Sequence, residues 1–169
     1  MVQNTAARVN LQVAKAFIYQ GDRLLLQLRD NIPEIIAPNH WGLFGGTVDE
    51  GETPAQAMKR EIEEELCWIP PEPKYLLTWE APDRPCITYI FGIPLTVQTS
   101  QLTLTEGQAF QLFTFEELTK VLLVPKIPRM LPQVVEAIAS DELTAAWQEF
   151  STKNLTSGMI SNPLVSELI

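Results

Sequence analysis

Three glutamates, Glu61, Glu64 and Glu65, stand three and four positions apart in TPAQAMKREIEEEL, a stretch that reads as one helix. At about 100° per residue they share an arc beside Ala55, Met58, Ile62 and Leu66, the arc that must face a core. Glu63 points elsewhere and needs only solvent. Like charges at these spacings destabilise a helix by a few tenths of a kcal/mol per pair, so something should offset the repulsion. A charge run taken alone is usually a solvated helix face. This one follows a glycine turn, GGTVDEGE, whose backbone can approach a ligand closely and present carbonyl oxygens. Carboxylate and carbonyl oxygens gathered at one place suit a hard divalent cation such as Mg²⁺, which is usually held by a few carboxylates together with substrate phosphates.

The elements that must position these groups are legible around them. VNLQVAKAFIYQGDRLLLQLR reads as two strands joined at Gly21 and Asp22, because apolar and β-branched residues flank a hairpin turn. DNIPEIIAPNH is a loop, and WGLFGG a short strand entering the glycine turn. Thr53 is the expected N-cap of the acidic helix and Pro54 its first residue. Beyond the break IPPEP lie three strand candidates, KYLLTWE, CITYIFGIPLTV and AFQLFTF. FEELTKVLLV and PRMLPQVVEAIAS carry helical periodicity, and DELTAAWQEF a weaker one. Strands around one early helix, with helices late, predict an α/β (α+β) fold in which a mixed sheet lies between helices.

Composition narrows the partners. The 169 residues are 46% hydrophobic and 20% charged, the make-up of one ordinary globular domain. A net charge of −9 repels a phosphate polymer, so long nucleic acids are not expected partners. A small phosphate compound is compatible with that charge once a cation neutralises the local field. Cys67 and Cys86 form neither a metal-ligand spacing nor a disulfide framework. No apolar run is long enough to span a bilayer, and MVQNTAARVN lacks a signal-peptide core, so the expectation is a cytoplasmic protein with no membrane partner.

The spacing reaches a family. From Gly46 there are five residues to Glu52, then seven to Arg60, followed by Glu61, the aliphatic Ile62, Glu63, Glu64 and Glu65. This resembles the Nudix box of the Nudix hydrolases at every charged position. One place departs: Cys67 stands where the box has a late glycine, with Trp68 after it, which puts the exit of the helix in question. The resemblance spans residues 9 to 139. It implies a Nudix-type α/β/α sandwich, taken over residues 1–139; residues 140–169 lie outside the resemblance and are read as a C-terminal helix and tail packed on the same domain. It also implies hydrolysis of a nucleoside diphosphate linked to another group, by water attack on phosphorus. Residue by residue, Glu61, Glu64, Glu65 and the carbonyl of Gly45 would hold Mg²⁺, or Mn²⁺ in its place, with Glu61 or Glu64 as general base. Glu52 and Arg60 would form a supporting ion pair. Glu106, in TEGQ, is a further ligand candidate by its likeness to MutT-type members, set against an ordinary turn glutamate.

Arg29, at the end of a strand, is a candidate phosphate partner, with structural ion pairing an equal alternative. His40 reads better as a loop residue than as a catalytic one. Trp41, Phe44 and Trp79 could stack a base, although aromatic residues in strands more often pack a core. None of the substrate-specific patterns of the family fits cleanly. The other functional class is a catalytically silent Nudix-fold module that binds a nucleotide as a sensor; retention of every charged box residue favours the enzyme. The apolar tail, with Trp147, Phe150, Leu164, Val165, Leu168 and Ile169, could cover a core edge or the partner subunit of a homodimer.

Overall fold

The computed structural model of the protein describes residues 11–80 and 85–156. Its elements run β1 (Leu11–Gln20), β2 (Arg23–Leu28), β3 (Trp41–Gly42), α1 (Pro54–Leu66), β4 (Lys74–Glu80), β5 (Cys86–Pro94), β6 (Ala109–Phe113), α2 (Phe115–Leu118), α3 (Lys126–Ile138) and α4 (Asp141–Thr156). The six strands form one mixed sheet in the order β3-β2-β1-β5-β4, with β6 paired to β2. β1 lies antiparallel to β2 and parallel to β5. The hairpin turn falls at Gly21 and Asp22, and Gly21 takes a φ of +58°, open to glycine at little cost.

Alternation along the strands divides the apolar residues between two layers. Ala14, Ala16, Ile18 and Leu25 face α1 and pack with Met58, Ile62 and Leu66. Phe17, Leu24, Leu26 and Ile90 face the other way, against Ile127, Met130 and Val134 of α3 and Phe115 of α2. The result is the α/β/α sandwich that the sequence predicts. α4 closes the second layer: Trp147 lies 4.9 Å edge-on from Phe115, and Phe150 sits 6.0 Å from the same ring. Trp147 and Phe150 are thus core residues, while Leu164, Val165, Leu168 and Ile169 lie outside the described residues. Among the described residues no helix is long and apolar enough to cross a membrane.

Two expectations need correcting. FEELTKVLLV is helical only over Phe115–Leu118, because Leu123 leaves the helix path to bridge Trp41 at the sheet edge. The core arc of α1 includes fully buried Ala57 beside the half-buried Ala55 that packs against it, and it also contains Glu65, only 4% exposed.

Candidate active site

The start of α1 is fixed by a reciprocal cap. The N–H of Gln56 donates to Oγ1 of Thr53 at 3.3 Å, and the N–H of Thr53 donates to Oε1 of Gln56 at 2.8 Å. Pro54, lacking an N–H, suits the first turn. The other end terminates in a left-handed residue, but that residue is Cys67, at φ 49° and ψ 37°. The exit geometry placed in question by the missing glycine is therefore kept, at the steric cost of a Cβ in the left-handed region. Trp68 turns into the α1 layer.

The glycine turn runs antiparallel beside β1. The N–H groups of Ala14 and Ala16 donate to the carbonyls of Gly46 and Phe44, and that of Val48 donates to Gln12. Gly45 takes a φ of +110°, and a Cβ on it would lie 2.3 Å from the carbonyl oxygen of Ala14. A Cβ on Gly46 would lie 2.5 Å from Oε1 of Glu61. Both positions require glycine, the first for the backbone and the second for a carboxylate. The Gly45 N–H donates to Oε2 of Glu65 at 2.6 Å, tying the turn to the helix.

The three glutamates differ in surroundings. Glu65 is buried and also accepts from Nε2 of Gln27 at 3.2 Å. Burial pushes its carboxyl above the usual range, opposed by the charge of Lys15 and the Gly45 N–H. Glu61 is 17% exposed and Glu64 61% exposed, and both accept from Nη1 of Arg60, at 2.8 and 3.2 Å. The rest of the Arg60 guanidinium grips Glu52, Nε to Oε1 and Nη2 to Oε2, each at 3.0 Å, and donates to the carbonyl of Thr47. This two-pronged pair raises Arg60 above the ordinary arginine value and lowers Glu52. Arg60 therefore joins turn and helix, and it also offsets the repulsion between Glu61 and Glu64.

A second cation serves the inner side of the cluster. Nζ of Lys15 donates to the carbonyl oxygen of Gly45. Burial lowers the Lys15 ammonium, while Glu65 first, and then Glu61 and Glu106, work to keep it charged. Glu106 stands within electrostatic reach of both Lys15 and Glu65. Its segment is tied to the end of α1: Oγ1 of Thr105 donates to the carbonyl of Glu64 at 2.5 Å, and the Thr105 N–H donates to that of Glu65 at 3.0 Å.

Lys15 shares strand parity with Phe17, so it opens onto the α3 side of the sheet, into a cavity of about 300 Å³. Lys15, Arg29 and Lys126 bring three cations to this cavity, and among the described residues no acidic side chain lines it; Thr88, Ile90 and Met130 are among its other walls. Nε of Arg29 donates to the carbonyl of Ile36 at 2.9 Å. Lys15, Gln27 and Lys126 had no signal in the sequence, because nothing local marks a strand or helix residue that reaches across the sheet. His40 hydrogen-bonds through Nδ1 to the carbonyl of Pro38 at 2.7 Å. The aromatic candidates are packing residues: Phe44 is fully buried, Trp41 lies edge-on 4.7 Å from Phe113, and Trp79 packs on the α3 layer.

The NUDIX domain model matches residues 10–134. The chain belongs to the Nudix family. Among solved structures it is similar to the E. coli ORF135 protein, at 26% identity and a TM-score of 0.54, covering 76% of this chain and 87% of that one. It is also similar to a MutT Nudix hydrolase from Burkholderia pseudomallei, at 26% identity and a TM-score of 0.53, over 63% of this chain and 84% of that one. The Nudix domain of Shewanella oneidensis NrtR, solved with ADP ribose, shares the fold at 19% identity and a TM-score of 0.66, over 82% and 94% of the two chains. As a Nudix protein the chain is a hydrolase acting on pyrophosphate bonds, and Nudix hydrolases generally use divalent metals.

Do these residues fit such an ion? As the side chains stand, no three acidic, His or Cys residues among the described ones converge closely enough to hold it. The reason is visible: Arg60 holds Glu61 and Glu64 to one side, while Glu65 and Gly45 are bonded to each other and Gly45 to Lys15. The donor chemistry nonetheless fits a hard cation, since every group is an oxygen and two chain cations already lie among them.

Proposed function

We propose that this Nudix hydrolase is a Mg²⁺-dependent pyrophosphohydrolase that cleaves a nucleoside diphosphate linked to another group. The observation that carries the reading is adjacency. The acidic face of α1 meets the glycine turn at Gly45 and Gly46, and Gly46 lines a cavity that, among the described residues, holds three cations and no acid. Opposite charge on the two sides suits a phosphate chain lying between them with cations on its acidic flank.

Glu61, Glu64, Glu65 and the carbonyl of Gly45 would hold the metal, with Glu106 approaching from the β6 side. When bound, such a cation neutralises the phosphates and lowers the pKa of an attached water. Arg29 and Lys126 orient the phosphates from the opposite side. The apolar walls, among them Ile90 and Met130, accept the nucleoside end and exclude water from it. Glu61 and Glu64 are the candidates for the general base, and the exposure of Glu64 gives it direct access to solvent water. Glu52 and Arg60 keep turn and helix in register.

A small nucleotide partner also agrees with the net charge of −9, which disfavours nucleic-acid polymers. The test is product identification from nucleoside triphosphates, sugar nucleotides, ADP-ribose and dinucleoside polyphosphates, with Mg²⁺, with Mn²⁺ and with chelator. Turnover of one class that stops with chelator supports the proposal. Metal-dependent binding without turnover would favour a silent module, and turnover that survives chelation would remove the metal from the mechanism.

A further inference from the structure

The carbonyl of Gly45 and the carboxylate of Glu65 are needed by a divalent cation, yet a side chain of the protein already occupies their neighbourhood. Lys15 comes from the middle of β1, and its ammonium donates to the Gly45 oxygen. The same Gly45 residue gives its N–H to Glu65. Glu65, Glu61 and Glu106 are the acidic groups whose charge acts on Lys15, and Arg29 is the cation that repels it. Arg60 plays no part on this inner side, since its guanidinium is spent on Glu52, Glu61, Glu64 and Thr47. Lys15 also lines the cationic cavity, which gives its flexible stem somewhere to go.

We propose that Lys15 is a resident cation that holds the Gly45 carbonyl when no divalent ion is present and competes directly with that ion for it. Two cations at contact distance from one carbonyl oxygen repel each other strongly in this partly buried setting. Binding of the metal therefore drives the ammonium off Gly45 into the adjoining cavity. The chain sets its own metal affinity by this competition. Without Lys15 the metal-free protein loses the cation whose charge acts on buried Glu65, and the Gly45 carbonyl is open to the ion.

This inference rests on the metal-site reading above, and one titration separates the two. Mn²⁺ binding is followed by the electron paramagnetic resonance signal of the free ion, in the full chain, for the wild type, Lys15→Met, Lys126→Met and Glu65→Gln. Wild-type binding that Glu65→Gln abolishes establishes the site. Lys15→Met should then bind Mn²⁺ about tenfold more tightly or better. Lys126→Met removes a cation from the same cavity without touching Gly45, and should move affinity much less. Metal-free Lys15→Met should melt below the wild type and recover more of its melting temperature on adding Mn²⁺. Lys15→Gln substitutes if Lys15→Met does not fold. Unchanged or weaker Mn²⁺ binding in the Lys15 variants, with wild-type binding intact, overturns the competition alone. Absence of Glu65-dependent binding in the wild type overturns the metal-site reading and the competition with it.

Discussion

The N–H of Gly45 meets Oε2 of Glu65 at 2.6 Å, joining the glycine turn to the buried side of α1. That bond ties one glutamate of the cluster to the backbone of the turn, while Glu61 and Glu64 are held by the Arg60 guanidinium. Glu65→Gln keeps the side-chain shape but replaces an anionic oxygen that faces Lys15. Turnover should fall at least about a hundredfold, and Mn²⁺ binding should be lost, with the melting temperature little changed. Steady-state kinetics beside Mn²⁺ titration checks this; an active, Mn²⁺-binding variant would dismiss Glu65 as a ligand.

Adjacent glycines should behave differently. Gly45→Ala places a Cβ 2.3 Å from the backbone oxygen of Ala14 at a φ of +110°, and neither can yield, so the variant should be poorly folded. Gly46→Ala places its Cβ 2.5 Å from Oε1 of Glu61, which is the end of a flexible side chain. It should fold but push Glu61 aside, losing about ten- to a hundredfold in turnover. Thermal melts and kinetics on the same two preparations separate the outcomes.

Arg60 contacts three glutamates, and no lysine can do that in the same plane. Arg60→Lys should therefore slow turnover nearly as much as Arg60→Ala, by about tenfold or more, without abolishing it. Full activity in Arg60→Lys would show that charge alone suffices and that the fork geometry does not matter.

How much of this was readable beforehand follows from how local each signal is. The Gly21 hairpin, the Thr53 cap and the acidic spacing depend on residues within one turn or hairpin of each other, so the sequence displays them. The partners of Glu65 come from β1, β2 and the glycine turn, brought together only by strand order, and neither Lys15 nor Gln27 differs in sequence from a surface residue. The truncation at Leu118 has the same origin, since periodicity in FEELTKVLLV is overruled by the pairing of Leu123 with Trp41. Glu65 itself sits on the boundary between the core arc and the acidic arc, and the wheel alone assigns it to the acidic one.

Two helices end on non-glycine residues in the left-handed region, α1 at Cys67 (φ 49°) and α3 at Ala139 (φ 55°). Each carries a steric cost of about 1 kcal/mol that glycine would remove. Cys67→Gly and Ala139→Gly should each stabilise the protein by roughly that amount, and the two should add because α1 and α3 lie on opposite faces of the sheet. Urea unfolding of both single variants and the double variant is the measurement. Destabilisation by either would mean that the side chain contributes packing that outweighs the backbone strain.

Stability in acid should depend on a group far from the acidic cluster. Glu117 accepts from the N–H and the hydroxyl of Thr114, at 2.8 and 3.1 Å, and these bonds hold its carboxyl below the ordinary glutamate value. A carboxyl lowered in the folded state contributes stability that is present above its unfolded pKa and is lost as pH falls through the folded one. Glu117→Gln keeps the shape of the cap and removes the charge. The wild type should therefore exceed Glu117→Gln in urea midpoint at pH 7, and the gap should close as pH falls below about 4. A gap that persists unchanged at low pH would assign the effect to packing of the cap rather than to its charge.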